Sequence, residues 1–364
     1  MMNQLLKEIR HNPLLWLLAF VPIVLAAAHL KPEAHTLLFL LSVLAIVPLA
    51  ALLSRATESV AAKTGDSVGG LLNATLGNLT ELVIALAALR AGQYMLVKAS
   101  IAGAIVTNTL FMLGASFLLG GLKHHVQEYN RVSARLQAGL LFVATVAMLV
   151  PSAVSQADSA TGKFTHTLSF GLAVLLIVTY GLSMLFSLKT HRELFAAVES
   201  GEAGEVPWPL GFALGTLAGV TLLVALVSEI FVESVQQAAE EFGMTPAFVG
   251  FIVVALVGAA AEMAASFSAA RKNRLDLSVG IALGSASQIA LFVAPVLVLV
   301  SYVIGPTPMD LLFWPGAVVM ILIATLTVTL VTNSGRSAWL VGVLLLMVYL
   351  IFAMTLYLLP PQVR

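Results

Sequence analysis

The lengths of the apolar runs constrain this chain more than any other feature. About 20 mostly apolar residues in a helix cross the core of a bilayer. By that measure the sequence holds eleven candidate spans, at 13–30, 36–62, 69–90, 96–121, 134–155, 165–187, 209–238, 246–270, 276–303, 309–331 and 338–358. Turn formers and charges separate them, as at Lys31-Pro32-Glu33, Lys63-Thr64-Gly65-Asp66, Gly92-Gln93, Pro151-Ser152, Gly305-Pro306 and Asn333-Ser334-Gly335. The expected fold is an all-α polytopic membrane protein. Charged residues make up only 10% of the 364, against about 25% in a soluble domain. No soluble domain of consequence is expected. A net charge of zero speaks against nucleic acid as a partner. Without cysteine there is no disulfide, thiolate zinc site or iron–sulfur cluster.

The segment Met1–Asn12 is short and polar, and no small-residue cleavage site follows before Lys31. The run at 13–30 therefore reads as a first span rather than a signal peptide. Orientation follows from Lys and Arg in the loops. With the N-terminus inside, thirteen basic residues fall inside: Lys7, Arg10, Arg55, Lys63, Lys123, Arg131, Arg135, Lys189, Arg192, Arg271, Lys272, Arg274 and Arg336. Five fall outside: Lys31, Arg90, Lys98, Lys163 and Arg364. The N-terminus is expected in the cytoplasm and the C-terminus outside, as an odd span count requires.

Within this frame a glutamate interrupts an apolar run twice. Gly77-Asn78-Leu79-Thr80-Glu81-Leu82 is echoed 181 residues later by Gly258-Ala259-Ala260-Ala261-Glu262-Met263, and the same offset pairs Gly103 with Gly284 and Phe111 with Phe292. One N-terminal helix plus two five-helix copies gives eleven. Five is odd, so the second copy enters from the opposite side: an inverted repeat, with the site expected near the midplane between copies. The division is then 1–35 for the N-terminal segment and first helix, 36–187 and 209–358 for the repeats, 188–208 for a cytoplasmic linker and 359–364 for the tail. The helices that open the copies, 36–62 and 209–238, are too long for a perpendicular crossing and should tilt. The linker carries Glu193, Glu199, Glu202 and Glu205, which read either as a solvated connection or as a regulatory cation site.

A carboxylate at the bilayer centre costs about 3 kcal/mol or more. Two at matched positions are hard to explain as packing, although protonated glutamates bonded to a neighbouring helix would be the structural alternative. Asn78 lies one turn before Glu81 on the same face. Gly77 permits close backbone approach, and the helix could loosen there to turn carbonyls inward. Asn108 and Gln288 place amides in the following helix of each copy. Either could be interhelical glue, but their matched placement favours the site. With Gly258, Thr80, Thr107, Ser285 and Ser287, every candidate ligand is oxygen. His124, His125, His166 and His191 fall in loops or at span ends. Oxygen-only donors suit Ca²⁺, and Mn²⁺ or Na⁺ less distinctively. Burial favours the protonated acid and a divalent cation favours the ionised one. Proton and cation therefore compete, which is the physical basis of exchange, and two glutamates imply two protons per cation.

At these residues the chain resembles the calcium/proton antiporters of the cation/proton exchanger family, within the wider cation/calcium exchanger group. The resemblance spans nearly the whole chain. It rests on Gly77-Asn78-Leu79-Thr80-Glu81-Leu82, on Gly103 to Asn108 with Leu113-Gly114, and on Lys189-Thr190-His191 before the acidic segment. It rests also on Arg271-Lys272-Asn273-Arg274-Leu275-Asp276 leading into Gly284-Ser285-Ala286-Ser287-Gln288-Ile289-Ala290-Leu291-Phe292. It implies eleven helices in two inverted repeats and Ca²⁺ export or sequestration driven by protons, with no cofactor. It implies alternating access, with the two long helices shifting across the core. It also implies that Glu81 and Glu262 bind cation and protons, with Asn78, Asn108 and Gln288 helping. The acidic linker looks like the family's cytoplasmic acidic helix. The second motif departs from the family's usual Gly-Asn-Ala-Ala-Glu-His, because Ala259 and Met263 replace the amide and the imidazole.

The nearest rivals are a Mn²⁺/H⁺ antiporter and a Na⁺-driven Ca²⁺ exchanger; a cation channel is more distant. An enzyme would need a nucleophile with a base or a histidine cluster in the spans, and the sequence offers neither. With no long targeting extension before the first span, a prokaryotic plasma membrane is the expected location. A homo-oligomer is compatible with all of this.

Overall fold

The computed structural model describes residues 12–64, 66–154, 162–194 and 207–358. The described chain is nearly all helix. α1 spans Pro13–Leu30, opening as a 3₁₀ turn whose Asn12 side chain caps Leu14. α2 is His35–Lys63, α3 Asp66–Leu76 and α4 Leu79–Arg90. α5 runs Tyr94–His124, α6 Arg131–Val154, and α7 from Gly162 through a π turn ending at Thr190. α8 is Leu210–Glu241, α9 Pro246–Gly258 and α10 Ala260–Arg271. α11 spans Leu275–Val300, α12 Pro315–Val331 and α13 Trp339–Leu358. Among the described residues nine helices are long and apolar enough to cross a membrane, or ten if α9 and α10 form one bent span. This is an integral membrane protein.

Three features depart from the spans expected from sequence. The run at 69–90 is two helices, α3 and α4, and the run at 246–270 is also two, with a bend of 59° between α9 and α10. The helix expected from 309 begins only at Pro315, with Pro in its first turn. Before it, residues 301–314 are irregular, yet Met309, Leu311 and Phe313 are buried. Buried backbone needs partners. Serines supply them: the amides of Met309, Leu311 and Phe313 donate to Oγ of Ser301, Ser169 and Ser152 at 2.7, 3.0 and 3.1 Å. Third, the chain is not purely α. Two three-residue strands, β1 (Val126–Glu128) and β2 (Arg336–Ala338), pair antiparallel and tie two loops at one rim.

The long helices α2 and α8 pack against each other, with Phe39 stacked on Phe231 at 5.4 Å, and α1 packs on α2. At 29 and 32 residues they measure about 44 and 48 Å at the usual rise, longer than a bilayer core of about 30 Å. Inside, α5 packs on α9, α10 and α13, while α11 packs on α6, α7 and α10. Glycines set two of these approaches. A Cβ on Gly103 would meet the Phe251 carbonyl at 2.1 Å, and one on Gly342 would meet the Gly114 carbonyl at 2.4 Å. Small residues with this effect are how helices close up in lipid, where apolar burial between helices gains little.

Candidate functional site

Each of the two breaks leads into a short helix with a glutamate in its first turn. α3 stops where Gly77 bonds back to Asn73, and Asn78 takes φ −97°, ψ 28°. α9 stops at Ala259, with φ −81° and ψ 5°. Both pairs of angles lie near the sparsely populated bridge region. Glu81 is the third residue of α4, and Glu262 is the third residue of α10. Each carboxylate therefore sits at the electropositive end of its own short helix.

The breaks also bring the two halves of the chain together. Asn78 is the residue before α4, but its side chain makes no cap. Instead its Nδ2 donates to Gln288 Oε1 at 2.6 Å, and its Oδ1 accepts from Ser285 Oγ at 2.7 Å. Asn108 Nδ2 donates to Ser285 Oγ at 2.8 Å. Asn108, Ser285, Asn78 and Gln288 thus form one chain of hydrogen bonds linking α5, the first break and α11. Glu81 crosses the other way. A Cβ on Gly258, at the second break, would stand 3.0 Å from Glu81 Cγ and 3.3 Å from its Oε1. Gly77 faces Gln288, whose Oε1 would lie 3.8 Å from an added Cβ. Glu262 lies in the same buried region as Ser285 and Glu81.

Three acceptors of this region find no donor among the described residues. Glu81 Oε1, Glu262 Oε2 and Asn108 Oδ1 are buried without a hydrogen-bond partner. A buried orphan acceptor costs about 1–3 kcal/mol, more if charged, so three close together call for a proton or a cation. A small cavity begins at Glu81 and is lined by Ala85 of α4, Ser100, Ile101 and Ala104 of α5, Val254 and Ala255 of α9, and Ile289 and Val293 of α11. Its α4, α5 and α11 walls run toward the rim of Arg90, Tyr94 and Val300. In the other direction from Glu262 the packing is tight. Ser266 is fully buried and bonded to Ser116 and Ser278 at 2.9 and 2.7 Å.

Of the residues singled out by sequence, Glu81, Glu262, Asn78, Asn108, Gln288, Ser285, Gly77 and Gly258 converge here. Thr107 does not join the chain of bonds: its hydroxyl meets that of Tyr349 at 3.4 Å. Ser287 donates to the Gln137 carbonyl. In the acidic linker, Glu193 is exposed in the turn Arg192–Leu194, while Glu199, Glu202 and Glu205 lie outside the described residues. Among the described residues no three His, Cys, Asp or Glu side chains gather as a metal-binding group. Gln137 is not among the residues singled out by sequence; its Oε1 is also buried and unpartnered, and its Nε2 would lie 3.9 Å from a Cβ added to Gly284. No pattern in the sequence points to it.

Fold and site define an integral membrane protein with a buried, oxygen-lined site between two interrupted helices. The description "Sodium/calcium exchanger protein" fits residues 34–189 and 212–358, and the chain belongs to that family. It is 41% identical over 356 residues to the Ca(2+)/H(+) antiporter of Aphanothece halophytica, covering 94% of this chain and 95% of the relative. It is 40% identical over 326 residues to the Ca(2+)/H(+) antiporter ChaA of Bacillus subtilis strain 168, covering 88% and 92%. Among solved structures it resembles native YfkE, with a TM-score of 0.81, 36% identity, and coverage of 94% of this chain and 98% of that one.

Proposed function

We propose that this protein is a secondary active antiporter that exchanges Ca²⁺ for H⁺, with Glu81 and Glu262 as the shared binding groups. One observation carries the reading. Two carboxylates and an amide present buried oxygens that no donor in the fold satisfies, held by a bonded chain that joins both halves. Such a site is stable with protons on the acids or with a cation among the oxygens, and not with neither. Asn78, Asn108, Ser285 and Gln288 set the spacing and supply further oxygens. Gly77 and Gly258 let backbone and carboxylate approach. Oxygen-only donors favour Ca²⁺, as do the names of relatives that match the chain nearly end to end. One proton per glutamate gives two protons per Ca²⁺.

In this reading α3 with α4 and α9 with α10 each make one interrupted span, giving eleven spans: one N-terminal helix and two inverted repeats at 36–187 and 209–358. The linker 188–208 is cytoplasmic, the segment 1–35 carries the first span, and 359–364 is an outer tail. The N-terminus is cytoplasmic, in a prokaryotic plasma membrane. Interrupted helices meeting between inverted repeats are a recurrent way to build a carrier site. The cavity beside Glu81 and the tight serine packing beyond Glu262 support one arm of alternating access, with α2 and α8 as the moving pair.

The test is Ca²⁺ uptake into inside-out vesicles acidified within, in the absence of Na⁺. Uptake should collapse with a protonophore, and apparent Ca²⁺ affinity should fall as the pH on the Ca²⁺ side is lowered. Uptake indifferent to the proton gradient but dependent on Na⁺ would refute proton coupling. Mn²⁺ flux without Ca²⁺ flux would refute the substrate.

A further inference from the structure

The amide-bearing helices α5 and α11 share a distortion. A π turn occupies Thr107–Met112 of α5, starting beside Asn108, and another occupies Ile289–Val293 of α11, starting after Gln288. π turns are rare and concentrate at functional sites. Each wide turn carries a phenylalanine, Phe111 or Phe292, the residues that the 181-residue offset pairs. Each phenylalanine lies against a tyrosine from a later or earlier helix of the other half. Phe111 meets Tyr349 of α13 at 5.2 Å, and Phe292 stacks on Tyr180 of α7 at 5.2 Å. Both tyrosines are buried, at 4% and 6% exposure, although each carries a polar tip. The Tyr349 hydroxyl meets Thr107, next to Asn108. The Tyr180 hydroxyl approaches Thr75, a turn before the Asn78 break, and is buried without a partner of hydrogen-bonding geometry.

We infer that Tyr180 and Tyr349 are positioning residues of the cation site: each, from the last helix of its half, holds the π turn that aims the opposite half's amide, Gln288 for Tyr180 and Asn108 for Tyr349. The physical reason lies in the helix. A π turn changes the rotation between the helix before it and the helix after it, so its phase sets where an amide at its start points. A rotation set only by backbone would be soft, whereas an aromatic pair at this separation has a preferred geometry. Because each tyrosine comes from the other half, the aim of each amide is tied to how the two halves sit together. The inference rests on the cation reading for its consequence in transport, and on the fold alone for its local effect.

Two measurements separate those layers. The first is hydrogen exchange of the cation-free protein. Tyr349→Ala should speed exchange across 107–112 and leave 289–293 unchanged, and Tyr180→Ala should do the reverse. The second is the KM and Vmax of Ca²⁺ flux. Each alanine variant should raise KM about 5-fold, the worth of an aromatic pair passed to the site, with Vmax within about twofold. Tyr180→Phe should restore wild-type KM, since that hydroxyl has no partner, whereas Tyr349→Phe should restore most but not all of it. A tyrosine acting only as packing would lower yield and Vmax together and leave KM alone, which overturns the inference. Exchange that does not change in either segment, or rises equally in both, overturns it too. Segment-specific exchange in the variants, with no Ca²⁺ flux in the wild type, would uphold the positioning and sink the cation reading instead.

Discussion

The two broken helices place the same acid at the same turn and differ in the residue before it. In the first, Asn78 leaves its own helix uncapped and bonds to Gln288 and Ser285 of the opposite half. In the second, Ala259 is fully buried and reaches for nothing. The consequence appears in the acceptors: Gln288 Oε1 is satisfied by an amide from the opposite break, while Asn108 Oδ1 has no donor. Gly258 instead lets Glu81 lean across, so the second break contributes space where the first contributes an amide. In the proposed site, equal acids with unequal neighbours make the charge symmetric and the neutral oxygens one-sided.

That contrast can be broken most forcefully at the acids. Glu81→Gln and Glu262→Gln should each lower proton-driven Ca²⁺ uptake by about 100-fold, on the order of 3 kcal/mol for removing one of two charged partners. If one of them keeps near-normal uptake, the acids are not equivalent and the comparison fails. Next comes Asn78→Ala, which deletes two cross-half hydrogen bonds. At about 0.5–1.5 kcal/mol each, Ca²⁺ affinity measured by calorimetry should drop about 10-fold or somewhat more, while Ala259→Gly changes it less than about twofold. Comparable losses at 78 and 259 would erase the asymmetry.

Smaller effects sharpen it. Gly258→Ala puts a methyl 3.0 Å from Glu81 Cγ. The acid can shift only by giving up its lean across the break, and flux KM should rise several-fold, about 1 kcal/mol of local crowding. The smallest change is a gain. Ala259→Asn offers an amide where the first break already has one, and Ca²⁺ affinity should improve about threefold, less than a full hydrogen bond because the site is already filled. Thermal unfolding of the same variant reports the packing cost separately.

Much of this was legible in the chain. The spans from 36–62 to 338–358 follow from run length, and their observed ends mostly fall within a few residues of expectation. The glutamates stood out because a charge in lipid-like sequence is expensive, and the amides because they recur after each glutamate. What could not be read were features that need a partner from elsewhere. The stretch from 309 is expected to be helical by hydropathy, but serines on α6 and α7 take the amides of Phe313 and Leu311 instead. Thr107 and Ser287 are candidate ligands by chemistry, and only the fold shows that their hydroxyls meet Tyr349 and the Gln137 carbonyl. Gln137 itself gave no signal, because burial of its amide depends on α11 passing beside it.

By itself the sequence determined that this protein lives in a bilayer, that a glutamate interrupts an apolar run twice, and that every candidate ligand is oxygen. Hydropathy, charge and donor type are properties of residues and survive any arrangement of helices. Only the tertiary structure decided which oxygens meet. Asn78 and Gln288 are 210 residues apart and bond at 2.6 Å; Glu81 is accommodated by a missing side chain at Gly258. Such pairings depend on where two helices break and how closely their backbones approach, and neither is encoded locally.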